Sequence, residues 1–220
     1  MTAKRDLQGA IGQFENGMRL VGSALMKLDA GETTTQPWRL PVGNDEHPSS
    51  GWYVYTRHDL TGRRNSHINN YAHTGIDLNG DWRNPETGEF RGNVDIGQPV
   101  FAVADGEIVS VGFSDRFRGG VVLKVDHFGV PLYVRYWHIG FPAGHNWFTV
   151  GETVEVGQQL GAIDEYPNGY AHLHFDMAWQ PFKAHWWFTK HKEIEWANPV
   201  YILKTHCQPL EVDAMVEKSN

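Results

Sequence analysis

The sequence is poor in cysteine, in long apolar runs and in basic residues. Cys207 is the only cysteine, so no intramolecular disulfide can form, and core packing or a bound ion must stabilise the fold. With 19 Lys+Arg against 26 Asp+Glu, the net charge of −7 argues against a general nucleic-acid binder, which needs a basic face. No apolar run approaches the ~20 residues that cross a bilayer, and no secretory signal is visible at the N-terminus. We therefore expect no transmembrane segment and no nucleic-acid partner.

Histidine and glycine are abundant instead. The 220 residues include 12 His and 24 Gly, and 40% of all residues are hydrophobic. This composition indicates a globular chain with a buried core, because disordered chains contain fewer apolar and aromatic residues. The length suits one domain with a short appendage. The histidine count raises the question of a metal site.

Two segments with different patterns precede the main domain. Apolar residues at positions 7, 11, 14, 18, 21, 25 and 28 share one helical face, so residues 1–30 are predicted to form an amphipathic N-terminal helix. Residues 31–50 are rich in Thr, Pro and Gly and are predicted to be a linker or arm. We expect the main domain to span residues 51–204 and a C-terminal tail to span residues 205–220.

Short β-branched and aromatic runs, separated by Gly, Asp and Pro, fill the main domain. Such runs are typical of strands, and no convincing amphipathic helix interrupts them, so we predict an antiparallel all-β domain. The strand-like runs are 52–55, 99–104, 107–112, 121–125, 132–137, 153–156 and 172–178. Asp105-Gly106 between two of these runs indicates a hairpin turn. Residues 95–98 and 155–158, Asp-Ile-Gly-Gln and Glu-Val-Gly-Gln, suggest two related hairpins.

A histidine and an aspartate lie four residues apart in the motif His73-Thr-Gly-Ile-Asp77. In a strand, residues 73, 75 and 77 point to the same face, and Gly75 leaves the space between His73 and Asp77 free of a side chain. This spacing suits two ligands of one metal ion, although two ordinary surface residues could share it.

Three further histidines occur in or beside strand-like runs. His172, His174 and Asp176 alternate with apolar residues, so the polar side chains share one face while the apolar ones enter the core. His138 ends an aromatic run. Each could be an ordinary surface or core histidine, but two imidazoles on one half-buried face favour a ligand. Together with His73 and Asp77 they provide the residue types of a hydrolytic zinc site. Such a site takes three N or O ligands and keeps one position open.

Five segments in a fixed order resemble the lysostaphin-type zinc metallopeptidases, which cut the peptides of peptidoglycan. The segments are His73-x-Gly-x-Asp77, residues 97–106, Tyr136-Trp-His138, residues 151–161 and His172-Leu-His174-Phe. The resemblance covers about residues 70 to 178 and extends to residues 198–203, which are similar to the family's closing strand. It implies a two-sheet antiparallel β fold around a narrow substrate groove.

The resemblance also implies roles for individual residues. By it, His73, Asp77 and His174 bind one zinc ion, while His138 and His172 serve as general base and acid. No His-Glu-x-x-His motif is present to supply a glutamate base, so proton transfer by histidines agrees with the residues available.

Three more residues are expected to support the site or to contact substrate. Asp176 shares the face of His174 and is expected to orient a ligand or catalytic ring, although family members more often have Glu there. Trp137 stands where a smaller residue is common in the family, and we expect it to alter a groove wall. Tyr71 is expected to steady the tetrahedral intermediate.

The implied function is that of a zinc endopeptidase acting on stem or cross-link peptides of bacterial peptidoglycan. It would carry one zinc ion per chain, act as a monomer, and work at the cell wall, in the periplasm, outside the cell or as a phage lysin. The alternative is a non-catalytic wall-binding or regulatory module with the same fold. The intact set of ligand and catalytic positions argues against that alternative.

Overall fold

The computed structural model describes the main domain in several stretches. They comprise residues 38–45, 48–56, 58, 72–80, 95–115, 118–140, 148–165, 171–185, 193–207, 212–213 and 215–216. The helix predicted for residues 1–30 lies outside these residues, and so does Tyr71.

Short strands make up most of the regular structure. They are β1 (Trp52–Thr56), β2 (Gly75–Gly80), β3 (Pro99–Phe101), β4 (Gly106–Ser114), β5 (Arg118–His127), β6 (Val130–Gly140), β7 (Thr153–Val154), β8 (Gln159–Ile163), β9 (Leu173–Ala178) and β10 (Trp196–Ala197). A 3-10 turn, Ser49–Gly51, precedes β1, and the helix α1 (Pro199–His206) follows β10. Within the described residues no helix is long and apolar enough to cross a membrane. The prediction of an all-β fold is confirmed.

The strands pair antiparallel in one connected network. Their order is β1-β2-β9-β6-β5-β4-β7, with β10 beside β9 and with β8 paired to both β3 and β6. Hydrogen bonding therefore joins all ten strands of the described residues into a single sheet. The two-sheet detail implied by the resemblance is not confirmed.

The alternation along β9 separates the core from the polar face. Leu173 and Phe175 are fully buried in the main apolar core, as the alternation predicts. Burial of each such side chain stabilises the fold by roughly 1.5–3 kcal/mol. His174 and Asp176 point to the other face of the sheet, where a smaller apolar cluster that includes Trp196 packs. The core thus fixes which side chains of β9 face the polar groups.

Part of the predicted arm contributes to the core. Trp38, Leu40 and Val42 are buried in the main apolar cluster. The backbone of this segment also pairs with the domain, because the Phe101 N–H donates to the carbonyl of Pro41 at 2.9 Å. Residues 38–42 therefore pack as part of the β domain.

The segments 95–98 and 155–158 form the same type of turn. In each, the N–H of the fourth residue donates to the carbonyl of the first at 3.0 Å, and the third residue is a glycine with φ of 83° or 81°. These are the features of type II turns, in which glycine is favoured at this position. The two turns lead into β3 and β8, which pair with each other. The two similar segments are therefore equivalent turns, each directly before one strand of the same pair.

The hairpin predicted at Asp105-Gly106 is wrong. β3 pairs with β8, whereas β4 pairs with β5 and β7. Gly106 belongs to β4, where an added Cβ would lie 2.5 Å from the carbonyl oxygen of Lys124, so glycine is needed for close strand approach. The Asp105 carboxylate accepts a hydrogen bond from the N–H of Val156 at 2.7 Å. The dipeptide thus joins segments that are distant in the chain.

Residues 198–203 begin a helix, so the predicted closing strand is wrong. The side chain of Asn198 accepts a hydrogen bond from the N–H of Val200 at 3.1 Å and caps α1. Pro199 occupies the first turn, where its missing N–H is not needed. The helix packs its buried side chains into the main core and continues to His206.

Candidate metal and catalytic site

Asp77 lies at the centre of a cluster of imidazole rings. It pairs with His174 across the β2–β9 ladder, and His73 precedes it by four residues. Its Oδ1 atom is 3.0 Å from Nε2 of His73, 3.0 Å from Nδ1 of His174 and 3.5 Å from Nε2 of His172. The structure therefore brings together the three residues predicted as zinc ligands and one of the two predicted proton-transfer histidines.

The donor atoms of His73, Asp77 and His174 fit a metal ion. All three side chains are buried, and their ligand atoms lie within 4.8 Å of one another. Zinc binds nitrogen and oxygen donors at about 2.0–2.2 Å, so two donors of one ion lie roughly 3–4 Å apart. Two imidazoles and one carboxylate also match the donor set of catalytic zinc sites, which leave a further position open.

Gly75, between His73 and Asp77, is required by the packing of β2 against β9. An added Cβ would lie 2.2 Å from the carbonyl oxygen of Phe175 and 2.5 Å from Cβ of Asp176. A side chain at this position would push the two strands apart and separate Asp77 from His174 on β9. The absence of a side chain at Gly75 therefore lets β9 approach β2 closely, whereas the sequence suggested that it leaves room between His73 and Asp77.

Burial and the surrounding imidazoles act in opposite directions on the cluster. Burial raises the pKa of Asp77, but His73, His172 and His174 beside it lower that pKa more, and it lies well below its usual range. Burial lowers the pKa of His174, whereas hydrogen bonds with Asp176 and Asp77 raise it more, so its net shift is upward. Asp77 is therefore ionised, which is the form that binds metal.

His138 reaches the site through a β-bulge in β6. Its neighbours Trp137 and Ile139 pair with consecutive residues of β5, so His138 is an additional residue in the ladder. Its φ is 63°, in the left-handed region that non-glycine residues seldom adopt. Regular alternation would send its ring to the face opposite Trp137. The bulge instead places that ring 4.8 Å, between centroids, from the ring of His172.

His172 is the most accessible of the three imidazoles around Asp77. Its side chain is 16% exposed, compared with 3% for His73 and 5% for His174. It lies one residue before β9 and on the same face as His174. A ring that is open on one side and close to the predicted ligands suits proton exchange with a substrate.

Trp137 lies beneath the imidazoles. It is 3% exposed, its ring stacks on His138 with 4.9 Å between centroids, and it meets His174 edge-on at 5.6 Å. Gly120 on β5 provides room for it, because an added Cβ there would lie 2.9 Å from Cδ1 of Trp137. Trp137 thus supports the rings from below. Tyr71 lies outside the described residues, and its expected role stays a prediction.

Asp176 is fully buried in a network that includes two residues not singled out from the sequence. Its carboxylate accepts hydrogen bonds from Nε of Arg135 at 3.0 Å, from Nη2 of Arg135 at 2.5 Å and from the Thr74 hydroxyl at 2.8 Å. Nε2 of His174 lies 3.0 Å from the same carboxylate. Burial raises the pKa of Asp176, but Arg135 and His174 lower it more, and the net shift is downward.

The available signal for Arg135 was its charge within an aromatic strand. It lies two residues before Trp137 and so shares its face, and it pairs with Asp176 across the β6–β9 ladder. Only the strand register reveals that pairing.

Residues 89–185 match the family model described as Peptidase family M23. Over this stretch the chain is similar to the M23 peptidases. The matched stretch includes His138, His172 and His174, whereas His73 and Asp77 precede it. The family resemblance of the sequence is confirmed. A search of curated proteins finds no match to the chain.

Solved structures similar to this chain include three peptidases. Lysostaphin is 22% identical, with 76% of this chain and 55% of that chain covered and a TM-score of 0.46. A zinc containing peptidase from Vibrio cholerae is 22% identical, with coverages of 64% and 36% and a TM-score of 0.36. A putative glycyl-glycine endopeptidase LytM from Ruminococcus gnavus is 15% identical, with coverages of 84% and 62% and a TM-score of 0.44. The chain therefore spans about half the length of lysostaphin and less of the Vibrio peptidase.

Proposed function

We propose that the M23 domain is a zinc metalloendopeptidase that hydrolyses peptide bonds in bacterial peptidoglycan. The observation that carries the proposal is the convergence of His73, His172 and His174 on one carboxylate oxygen of Asp77, with His138 beside them. These residues come from three segments that are far apart in the sequence, 73–77, 138 and 172–174, and the sheet brings the segments together. Peptidoglycan as the substrate is supported by the order of the five motifs that resemble lysostaphin-type enzymes.

His73, Asp77 and His174 would hold one zinc ion per chain. Zinc, when bound, supplies Lewis-acid polarisation of the scissile carbonyl and of the attacking water. The carboxylate of Asp77 contributes a negative charge, because the surrounding imidazoles lower its pKa and keep it ionised. Oδ1 of Asp77 lies 3.0 Å from a ring nitrogen of His73 and 3.0 Å from a ring nitrogen of His174. A cation bound between these buried polar groups would compensate for their removal from water.

His138 and His172 would move the protons. Their rings are 4.8 Å apart, and both lie on the side of the sheet that carries the ligands. A neutral imidazole accepts the proton of the attacking water, and a protonated one stabilises the oxyanion and donates to the leaving amine. The two rings thus form a base and acid pair.

The proposal includes the setting of the reaction. We place it at the cell wall, with a monomeric enzyme whose catalytic domain follows the N-terminal segment. The net charge of −7 gives no long-range attraction to an anionic wall, so contacts within the substrate groove must supply the binding.

The test is digestion of isolated peptidoglycan by the purified chain. We expect soluble fragments to be released, a chelator to stop the release, and added zinc to restore it. Mass spectrometry of the released fragments identifies the bond that is cut. A protein that is loaded with zinc, binds peptidoglycan and releases no fragments would be a wall-binding module instead.

A further inference from the structure

Arg135 and Asp176 form an ion pair in the interior, directly beneath the proposed ligand His174. Arg135 is 1% exposed and Asp176 is fully buried. Removing two charges from water is unfavourable, and well-packed apolar residues often stabilise a fold as well as a buried pair does. Stability alone therefore gives no reason for this pair. Its position next to a metal ligand indicates a role in the site.

The pair is held in one geometry. Arg135 donates through Nε and Nη2 to both oxygens of Asp176, a two-point contact that fixes the plane of the carboxylate. The guanidinium carbon of Arg135 lies 4.3 Å from the ring centroid of Trp137 and 5.2 Å from that of Phe182. The Thr74 hydroxyl adds a third hydrogen bond to the carboxylate. These contacts hold both partners in one orientation.

This geometry determines which nitrogen of His174 carries the proton. An ionised carboxylate can only accept hydrogen bonds, so Nε2 of His174, 3.0 Å from Oδ2 of Asp176, must be the donor. In a neutral ring the other nitrogen, Nδ1, then presents a lone pair. Nδ1 faces Oδ1 of Asp77 at 3.0 Å. Two acceptor atoms this close favour a cation bound by both.

We propose that Arg135, through Asp176, sets the tautomer and direction of His174 so that its Nδ1 lone pair points to the metal. Arg135 is thus a positioning residue, and the inference rests on the proposed zinc site. Its role is to raise metal affinity without touching metal or substrate. Partners of this kind typically change metal affinity by about 10–100-fold when they are removed.

Two variants test the pair directly. Asp176→Asn keeps the shape of the side chain but places an amide among the donors of Arg135, Thr74 and His174. Arg135→Lys keeps the charge but loses the two-point contact. We expect each variant to weaken zinc binding by the metal-free protein, measured by competition with a chromophoric chelator, and Asp176→Asn by about 10–100-fold. The double variant should bind zinc no more weakly than Asp176→Asn alone, because the two act in one chain of contacts.

Ser110→Ala is the matched control for a loss of stability. The Ser110 hydroxyl accepts a buried hydrogen bond from the N–H of Ala184 at 3.0 Å, and Nη1 of Arg135 reaches the carbonyl of the same residue at 3.4 Å. This variant should lower the unfolding midpoint and leave zinc affinity unchanged. If it weakens zinc binding as much as Asp176→Asn does, the pair acts only through stability and the inference is wrong. Unchanged zinc affinity in a folded Asp176→Asn protein would overturn it equally.

A spectroscopic readout separates this inference from the proposed function. Nitrogen chemical shifts of His174 in the metal-free protein, at alkaline pH where the ring is neutral, report its tautomer. We expect the Nε2–H form in wild type and a shift toward the Nδ1–H form in Asp176→Asn. A wild-type protein that binds no zinc but shows this change would contradict the zinc site and keep the positioning role. The same tautomer in both proteins would contradict the positioning role.

Discussion

At the scale of single residues, one inserted position decides the composition of the site. Alternation along β6 would place His138 on the face opposite Trp137, and the bulge with φ of 63° turns its ring toward His172. Backbone strain of this kind is often found at functional positions. The motif order of the sequence predicted that His138 belongs to the site. The bulge that brings it there depends on strand pairing, which no short motif encodes.

The roles of His138 and His172 can be separated from metal binding by substitution. We expect His138→Asn and His172→Asn each to lower kcat by about 10²–10⁴-fold, because each removes a proposed proton-transfer group. Both variants should keep zinc, since neither ring belongs to the three-residue donor group. Steady-state cleavage of a soluble peptidoglycan fragment, with zinc content measured in parallel, checks this.

His185→Asn is the control for these substitutions. His185 is exposed and lies within the family match, and its loss should change neither property. Wild-type kcat in either of the two site variants would contradict the assignment of base and acid. Loss of zinc together with activity would instead make that histidine a ligand.

Arg135 shows what residue patterns could not predict. A charged residue in a strand can point to solvent or pair inside, and only its register opposite Asp176 decides between them. Asp176 itself was predicted as an orienting group from its shared face with His174. The structure adds that Asp176 contacts Nε2 of His174 and that Arg135 is its partner in an ion pair.

At the scale of elements, the sequence at the start of α1 contains a helix-start signal, but the resemblance to a family strand led to a different prediction. Asn followed by Pro is a typical helix start, with a side-chain cap and a residue that lacks an N–H. The similarity to a closing strand favoured the wrong structure for residues 198–203. The predicted strand runs, by contrast, all contain a strand of the sheet, because alternating apolar residues must face the core.

The end of α1 forms a histidine contact that predicts an effect of pH. His206 stacks on Trp38 with 4.1 Å between centroids, and its Nε2 lies 2.6 Å from Nδ1 of His127. Burial lowers the pKa of His127 to about 4, although Asp126 opposes the shift. Burial, and then His127, lower the pKa of His206 to about 4, again against Asp126. The folded state therefore holds both rings neutral.

Acidification should consequently destabilise the fold through this contact. The unfolded state, with histidine pKa near 6.5, binds more protons than the folded state between about pH 6.5 and 4, so stability falls as pH falls through this window. We expect His206→Phe, which keeps an aromatic ring beside Trp38, to show a smaller loss of unfolding free energy between about pH 7 and 5. Urea denaturation at several pH values measures it. Equal losses in the two proteins would contradict a contribution from this pair.

At the scale of the whole molecule, the strand order was the least predictable feature. The short runs of the sequence predict strands but carry no information about their partners, so the pairing of β3 with β8 was not foreseen. The antiparallel class followed from the absence of convincing helices between the runs. The buried segment 38–42 was also unforeseen, because its Pro and Gly neighbours are typical of a linker.

A core substitution tests whether the domain begins before residue 51. Leu40 is 4% exposed and packs in the main cluster, so Leu40→Ala should lower the free energy of unfolding by about 2–5 kcal/mol. Val150→Ala, at a side chain that is 61% exposed, is the control and should change it by less than about 0.5 kcal/mol. Denaturant titration of both variants gives the comparison. If Leu40→Ala leaves the free energy of unfolding unchanged, residues 38–42 do not belong to the unit that unfolds cooperatively.

The central claim is that His73, Asp77 and His174 hold a zinc ion that hydrolysis of peptidoglycan requires. The most direct measurement is zinc content per chain, by elemental analysis after dialysis at neutral pH, for wild type and for Asp77→Asn, with the peptidoglycan digestion rate of the same samples. We predict close to one zinc per wild-type chain, and in Asp77→Asn little zinc and a digestion rate at background. A wild-type protein without zinc, or an Asp77→Asn protein that digests peptidoglycan at the wild-type rate, would contradict the account.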